Sequence, residues 1–212
     1  MKAAALVIAD AEGLDVRVQG EPLLVHAVRG VLDAGCVDHL RIVVPKREVG
    51  SYESIVRAVP GTGKQCRVLP CDGSRAESIR LAFESLPGGL DVILICDASR
   101  AFVPPPVIRA VADTVSQGAA TVIPVLPVTD TVKLVNSHEV IIATEDRARL
   151  RTVQAPFGCT PESLHEMCTR GVDPLTEPPE TVHTIAGHQN GIRITTPFDV
   201  AVVSALLSEE QA

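Results

Sequence analysis

Aromatic side chains are scarce in this chain: they make up 2% of its 212 residues, and tryptophan is absent. A buried core must therefore be assembled from Val, Ile, Leu and Ala, which suits parallel strands packed against helices. Positive charge is also in short supply, with 19 Lys and Arg residues against 26 Asp and Glu, a net charge of −7. Together with the lack of a basic stripe, this balance argues against nonspecific nucleic-acid binding. No apolar run is long enough to span a membrane, so we expect no membrane partner.

Cysteine pairing motifs are missing as well. The six cysteines (36, 66, 71, 96, 159 and 168) include no CxxC pair, and no secretory signal pattern precedes them. We therefore expect reduced thiols and a cytoplasmic protein. A chain of this length is expected to form a single domain over residues 1–212.

What the chain does have is a regular alternation of apolar segments. Predicted strands cover residues 3–9, 40–44, 66–69, 92–96, 120–125 and 191–194. Predicted helices cover residues 21–34, 51–59, 74–86, 107–117, 161–169 and 197–207. Ser74 and either Thr195 or Thr196 are expected to cap helices. The alternation predicts an α/β fold with a mostly parallel sheet flanked by helices and joined by right-handed crossovers.

The apolar run at residues 92–96 ends abruptly at Asp97, and Arg100 follows three residues later. In open α/β sheets the ligand crevice lies beyond the carboxyl ends of the strands, so both side chains are expected there. A carboxylate in that position can hold a divalent cation against phosphate oxygens, and a guanidinium can neutralise the same anion. The alternative is that Asp97 only caps the next turn.

One segment interrupts the alternation. Residues 134–135 and 140–143 are apolar and flank the polar stretch 136–139, a pattern typical of a β-hairpin. Such an arm would expose Val140, Ile141 and Ile142. Because exposed apolar arms are often covered by a second subunit, a homodimer is a reasonable hypothesis.

Two further motifs have competing interpretations. Residues 61–65 (GTGKQ) suggest a phosphate loop but lack its spacing and its hydroxyl residue, so a surface turn is favoured. Cys96, beside Asp97, is either a reactive thiol or a buried packing residue, and packing is favoured.

Six motifs occur in a specific order: 73–78 (GSRAES), 96–100 (CDASR), 127–133 (PVTDTVK), 144–150 (TEDRARL), 153–158 (VQAPFG) and 192–199 (IRITTPFD). This order closely resembles the methylerythritol phosphate cytidylyltransferases of the non-mevalonate isoprenoid pathway, over nearly the whole chain. The resemblance implies a Rossmann-like nucleotidyltransferase fold whose protruding β-arm, at about residues 128–150, forms a homodimer. It also implies a Mg²⁺-dependent reaction that joins CTP to methylerythritol phosphate and releases pyrophosphate.

The resemblance also implies roles for individual residues. Asp97 matches the Mg²⁺ ligand, and Arg147 is expected to reach across the dimer. Asp130 is placed with the substrate group but could instead form a surface pair with Lys133. The nucleotide-binding positions are Ala9, Gly73, Arg75 and Ser78, with the alternative that Arg75 only pairs with a neighbouring acid. The substrate-binding positions are Arg100, Asp130, Thr131 and Arg147.

The chain departs from the family mainly after its first strand. The family has a long glycine-rich phosphate loop there, whereas residues 9–20 are shorter and carry Asp10, Glu12 and Asp15. No lysine occurs between residues 2 and 46. Arg17, and Arg193 in place of the family's late lysine, are then the candidate catalytic cations. Two hypotheses follow: a divergent cytidylyltransferase, or a catalytically degenerate homologue acting as a dimeric ligand-binding or regulatory module.

Overall fold

A mixed β-sheet forms the centre of the computed structural model, which describes residues 1–9 and 16–209. In spatial order its strands are Arg151–Val153 (β10), Thr121–Pro127 (β7), Phe157–Cys159 (β11), Val92–Asp97 (β6), Ala3–Ile8 (β1), His39–Val44 (β4) and Cys66–Pro70 (β5), and His183–Ala186 (β12) also pairs with β7. Neighbours from β6 to β5 run parallel, as does the β12 pair, whereas β10 and β11 run antiparallel to their neighbours. The predicted mostly parallel α/β sheet is confirmed.

Helices cover both faces of this sheet. They are Leu23–Asp33 (α1), Val49–Arg57 (α2), Arg75–Glu84 (α3), Pro105–Ser116 (α4), Pro161–Arg170 (α5) and Pro197–Glu209 (α6). The first of them begins later than predicted, because Glu21–Pro22 (β3) pairs with Arg17–Val18 (β2) in a small hairpin. None of the described helices is long and apolar enough to cross a membrane.

Burial on both faces explains why β6 reads as an unbroken apolar run. Val92, Leu94 and Cys96 belong to the core cluster that includes residues of α1 and α4, whereas Ile93 and Ile95 belong to the cluster that includes residues of α3 and α5. All five side chains are at most 7% exposed. A strand covered on both sides has no solvent face, and therefore no polar alternation.

The predicted helix caps are present. The Ser74 hydroxyl accepts from the Glu77 amide, and the Glu77 carboxylate accepts from the Ser74 amide, which completes a capping box at the start of α3. These bonds lower the pKa of Glu77, that from the Ser74 main chain contributing most. At α6 the Thr196 hydroxyl accepts from the Asp199 amide. Residues 61–65 form a turn after α2, in which the Thr62 hydroxyl donates to the Val56 and Val59 carbonyls, so the favoured interpretation of GTGKQ is confirmed.

The strand predicted at residues 191–194 is wrong. Residues 189–191 form a 3-10 turn. The strand that precedes this turn in sequence is β12, which pairs with β7 in parallel. The alternation of Ile192, Arg193 and Ile194 has another cause: the Ile194 side chain is buried while Arg193 points to Asp97. The Ile194 amide bonds to the Ser99 carbonyl, a single long-range main-chain contact in place of a ladder.

The predicted hairpin is present as Lys133–Val135 (β8) paired with Ile141–Thr144 (β9) in antiparallel register. The Asn136 side chain accepts from the His138 and Val140 amides and so closes its turn. Five of the arm's large apolar side chains are exposed, namely Leu134, Val135, Val140, Ile141 and Ile142. The arm therefore contributes little to the core of its own chain.

Gly158 offers a test of how closely β11 and α4 pack. A Cβ at this position would overlap Val111 Cγ1 and would lie 3.2 Å from Val115 Cγ2. Because β-branched side chains cannot turn aside, Gly158→Ala should lower the free energy of unfolding by about 1–3 kcal/mol. Urea denaturation of Gly158→Ala and of Gly88→Ala, where a Cβ meets nothing within 4 Å, provides the comparison. Equal stability of the two variants would contradict the packing described.

Candidate active site

Asp97 lies at the carboxyl end of β6 and is only 8% exposed. Its Oδ1 atom accepts hydrogen bonds from the Ser99 amide (2.9 Å) and the Ser99 hydroxyl (2.6 Å). The carboxylate therefore caps the following 3-10 turn, as the simpler interpretation predicted. Capping occupies Oδ1 and leaves Oδ2 turned toward Arg193, so this role does not exclude a second one.

Arg193 is brought to this strand end from a segment almost a hundred residues later. Its Nη2 atom lies 3.7 Å from Asp97 Oδ2, and its Nε donates to the Ser99 hydroxyl at 3.1 Å. The side chain remains 53% exposed. A half-exposed guanidinium beside a buried carboxylate can reach both the protein and an incoming anion.

Arg100 is held largely by the main chain. Its Nη1 donates to the Gly191 carbonyl at 2.7 Å and its Nη2 to the Val153 carbonyl at 3.1 Å. Burial lowers the pKa of Arg100, partly offset by the charge of Asp97. The guanidinium thus joins two loops to the end of β6 in addition to any contact with a substrate.

A cavity of about 150 Å³ lies beside Asp97. It is also lined by Arg75 and Asp173, whose Nε and Oδ2 atoms lie 3.2 Å apart, with both side chains at most 15% exposed. The cavity is lined by Arg75, Asp97, Arg100, Val153, Gln154, Asp173, Leu175, Thr176 and Arg193. Three guanidinium groups and two carboxylates make this a strongly polar site.

A second cavity of about 550 Å³ lies at the ends of β1, β4 and β5. It brings together three of the four predicted nucleotide-binding residues, Ala9, Gly73 and Ser78, whereas Arg75 lines the Asp97 cavity. Lys46 and Asp72 also line it, joined by a 2.8 Å bond from the Lys46 amide to Asp72 Oδ1. A Cβ on Gly73 would overlap the Glu77 carboxylate, so the capping box requires glycine there.

The remaining predicted residues lie apart from these cavities. Asp130, Thr131 and Arg147 are exposed at the base of the arm, where Arg147 Nη1 donates to the Thr129 carbonyl. Arg17 lies on the β2–β3 hairpin and donates to the Gly20 carbonyl at 3.0 Å. The acidic loop, residues 10–15, lies outside the described residues. The assignments of these four side chains remain predictions.

Cys96 is buried among apolar neighbours, and that burial raises its pKa to about 12. Its thiol therefore stays protonated at neutral pH and is a poor nucleophile. This agrees with the packing interpretation, although Cys96 directly precedes Asp97.

Mg²⁺ fits the residues present. The cation prefers oxygen ligands and is usually held by one or two carboxylates together with substrate phosphates and water. Asp97 supplies one buried carboxylate, and the described residues contain no group of three or more His, Cys, Asp or Glu side chains that would form a complete protein cage. A cation at Asp97 would then depend on phosphate oxygens for further ligands.

Several residues of the site were missed in the sequence. Gln154 is 3% exposed; its Nε2 donates to the His188 carbonyl at 2.8 Å, and its Oε1 accepts from the His188 amide at 3.0 Å. Because the Gln154 amide in turn donates to the Pro124 carbonyl at 2.8 Å, the segment that carries Arg193 is anchored to β7. Ser99 and Asp173 were missed as well. The CDASR motif includes Ser99 and so offered a signal for it. No sequence pattern near Asp173 indicates its pairing with Arg75.

Comparison with known proteins identifies the family. The model of the 2-C-methyl-D-erythritol 4-phosphate cytidylyltransferase family matches residues 9–209. The chain belongs to this family. The cytidylyltransferase of this name from Saccharopolyspora erythraea is 38% identical to it, over 91% of this chain and 89% of the relative. The one from Nocardia farcinica is 36% identical, over 93% of this chain and 86% of the relative.

Solved structures agree with this membership. A 4-diphosphocytidyl-2C-methyl-D-erythritol synthase structure that is 26% identical superimposes with a TM-score of 0.83, covering 97% of this chain and 99% of the other. The synthase from Anaerococcus prevotii, 19% identical, supports the fold alone, with a TM-score of 0.85 over 97% of this chain and 96% of its own. The Rossmann-like nucleotidyltransferase fold is confirmed for this cytidylyltransferase-family chain.

The anchoring role of Gln154 can be tested without substrate. Gln154→Leu keeps the side-chain volume but removes both bonds to His188, which should cost about 1–3 kcal/mol of unfolding free energy. It should also speed amide hydrogen exchange over residues 187–194. Gln189→Leu, at an exposed glutamine of the same segment, is the control. Unchanged exchange in Gln154→Leu would show that other contacts hold the segment.

Proposed function

We propose that this chain transfers the cytidylyl group of CTP to methylerythritol phosphate and releases pyrophosphate. An oxygen of the incoming phosphate attacks the α-phosphorus, and the bond from that phosphorus to the β-phosphate breaks. The observation that carries the proposal is the meeting of Asp97 and Arg193 at the end of β6, with the Ala9–Gly73–Ser78 cavity in the same protein. Family membership over residues 9–209 supports the same substrates.

The larger cavity is the proposed nucleotide pocket. It is built on the carboxyl ends of parallel strands and the start of α3, where ligands of α/β proteins bind. At Gly73 the main chain is free of a side chain and can approach a base closely. Lys46 and Arg47 also line the cavity and add positive charge beside it.

The negative charge of the phosphates would be neutralised by a cation bound to Asp97 and by guanidinium groups. Bound Mg²⁺ would neutralise oxygens of the triphosphate and so favour departure of pyrophosphate. Arg193 takes the place of the family's lysine, and a guanidinium can donate two hydrogen bonds to one phosphate. Arg17 is the further candidate from the first loop, and its role is part of this proposal.

The second substrate is assigned to Arg100, Asp130, Thr131 and Arg147. Arg147 and Thr131 lie on an exposed arm, so their placement against a reacting phosphate requires a second subunit. We therefore propose a homodimer in which the arm of one chain completes the site of its partner. We further propose a cytoplasmic location, since all six cysteines are free thiols.

The degenerate-homologue alternative is not favoured, because the family match spans nearly the whole chain. The feature that supports this alternative is the acidic first loop, whose negative charge would repel a triphosphate. Titration of the protein with CTP decides between the two hypotheses.

We expect CTP to bind with micromolar affinity in the presence of Mg²⁺. Asp97→Asn should weaken that binding by about tenfold or more, because it removes the carboxylate that holds the cation. Asp33→Asn, at the far end of α1, is the control for loss of one negative charge. Calorimetric titration measures the affinity, and pyrophosphate release in the presence of methylerythritol phosphate measures the reaction. No binding at millimolar CTP would leave the ligand-binding module as the remaining hypothesis.

Dimerisation through the arm predicts a second result. Val140, Ile141 and Ile142 are 56–62% exposed. Ile142→Glu would place a charge in the proposed interface and should convert the dimer to a monomer in sedimentation experiments. Activity should fall with it, because Arg147 would no longer reach a partner site. Ser137→Glu, in the turn at the arm's tip, should stay dimeric; a wild-type monomer would refute the arrangement.

A further inference from the structure

The Ser99 hydroxyl lies between the two charged groups of the candidate active site. It is 2.6 Å from Asp97 Oδ1 and 3.1 Å from Arg193 Nε. We propose that Ser99 is a positioning residue that holds the Arg193 guanidinium in register with the Asp97 carboxylate. This inference rests on the proposed function, because its purpose is to present both groups to the nucleotide phosphates.

The chemistry of the three groups fixes the direction of these hydrogen bonds. A guanidinium has donors only, so the Ser99 oxygen must accept from Arg193 Nε. The single hydroxyl proton is then free to be donated to Asp97, whose ionised carboxylate only accepts. The two hydrogen bonds, from Arg193 to Ser99 and from Ser99 to Asp97, therefore run in one direction only. Together they fix the rotamer of the Ser99 hydroxyl.

The direct contact between the two charges is weak without this bridge. Arg193 Nη2 lies 3.7 Å from Asp97 Oδ2, and the arginine side chain is 53% exposed. Because the Arg193 side chain is half exposed, solvent screens this ion pair, and the contact alone leaves a long side chain mobile. The bond from Nε fixes the plane of the guanidinium, so that its outer N–H groups keep a constant direction toward an incoming phosphate.

The main chain around Ser99 is secured independently of the hydroxyl. The Ser99 amide donates to Asp97 Oδ1 at 2.9 Å, and the Ser99 carbonyl accepts from the Ile194 amide at 2.8 Å. Ser99→Ala keeps both of these bonds and removes only the bridge. A loss of function in this variant would therefore arise from side-chain orientation and not from loss of the local fold.

The side chain at position 193 makes the inference specific. A lysine ammonium there would have no Nε–H in the guanidinium geometry and could turn freely about its stem. Ser99 should therefore matter when residue 193 is arginine and matter much less when it is lysine. Energetic coupling between the two positions separates positioning from a general structural role.

The experiment is a double-mutant cycle with Ser99→Ala, Arg193→Lys and the double variant, and with Ser99→Thr as the conservative control. The dissociation constant of CTP with Mg²⁺ is measured by calorimetry, and kcat is measured for each variant. Ser99→Ala should weaken CTP binding and lower kcat by about tenfold, because hydrogen bonds to charged groups are the stronger ones. Ser99→Thr, which keeps the hydroxyl, should stay within about twofold of wild type.

In the Arg193→Lys background, adding Ser99→Ala should change the dissociation constant by less than about threefold. Equal effects of Ser99→Ala in both backgrounds would overturn the inference, as would a Ser99→Ala variant with wild-type affinity and kcat. A wild-type protein that binds no CTP would instead refute the proposed function itself. Thermal unfolding of each variant confirms that the comparison is made between folded proteins.

Discussion

The site depends on one carboxylate that lies at the end of a buried strand. Asp97 is 8% exposed, and a charge so far from water is costly unless hydrogen bonds and an opposite charge compensate it. The Ser99 amide and hydroxyl supply the bonds, and Arg193 supplies the charge. Because Arg193 belongs to the segment before α6, this compensation also draws the end of the chain onto the centre of the sheet.

Arg100 reinforces this connection and extends it to β10. By donating to the Gly191 and Val153 carbonyls, it joins the segment carrying Arg193 and the end of β10 to the turn after β6. Gln154 reinforces this arrangement through His188. Arg100 is thus oriented by main-chain carbonyls, and Arg193 by the Ser99 and Asp97 side chains, before any ligand binds. Such orientation is the condition for electrostatic stabilisation of a transition state without reorganisation.

The sequence predicted the architecture better than the site. The unbroken apolar runs of β1 and β6 and the Ser74 cap of α3 are local signals, and the structure confirms each of them. The strand predicted at residues 191–194 is wrong, because this short apolar segment buries Ile194 and turns Arg193 to Asp97 without pairing in the sheet. β12 was missed because most of its side chains are exposed. Contacts such as Arg75 with Asp173 join residues far apart in sequence, and no local pattern indicates them.

Residue 193 is an arginine, and the shape of its guanidinium determines what the surrounding residues must do. An ammonium acts as a compact charge that can turn freely, whereas a guanidinium is effective only when its plane faces the anion. The larger group therefore needs an acceptor near Nε, and Ser99 is placed to provide one. An arginine at position 193 thus calls for an acceptor two residues beyond Asp97. In this chain the end of β6 is better understood as a hydrogen-bonded set of Asp97, Ser99 and Arg193 than as three separate residues.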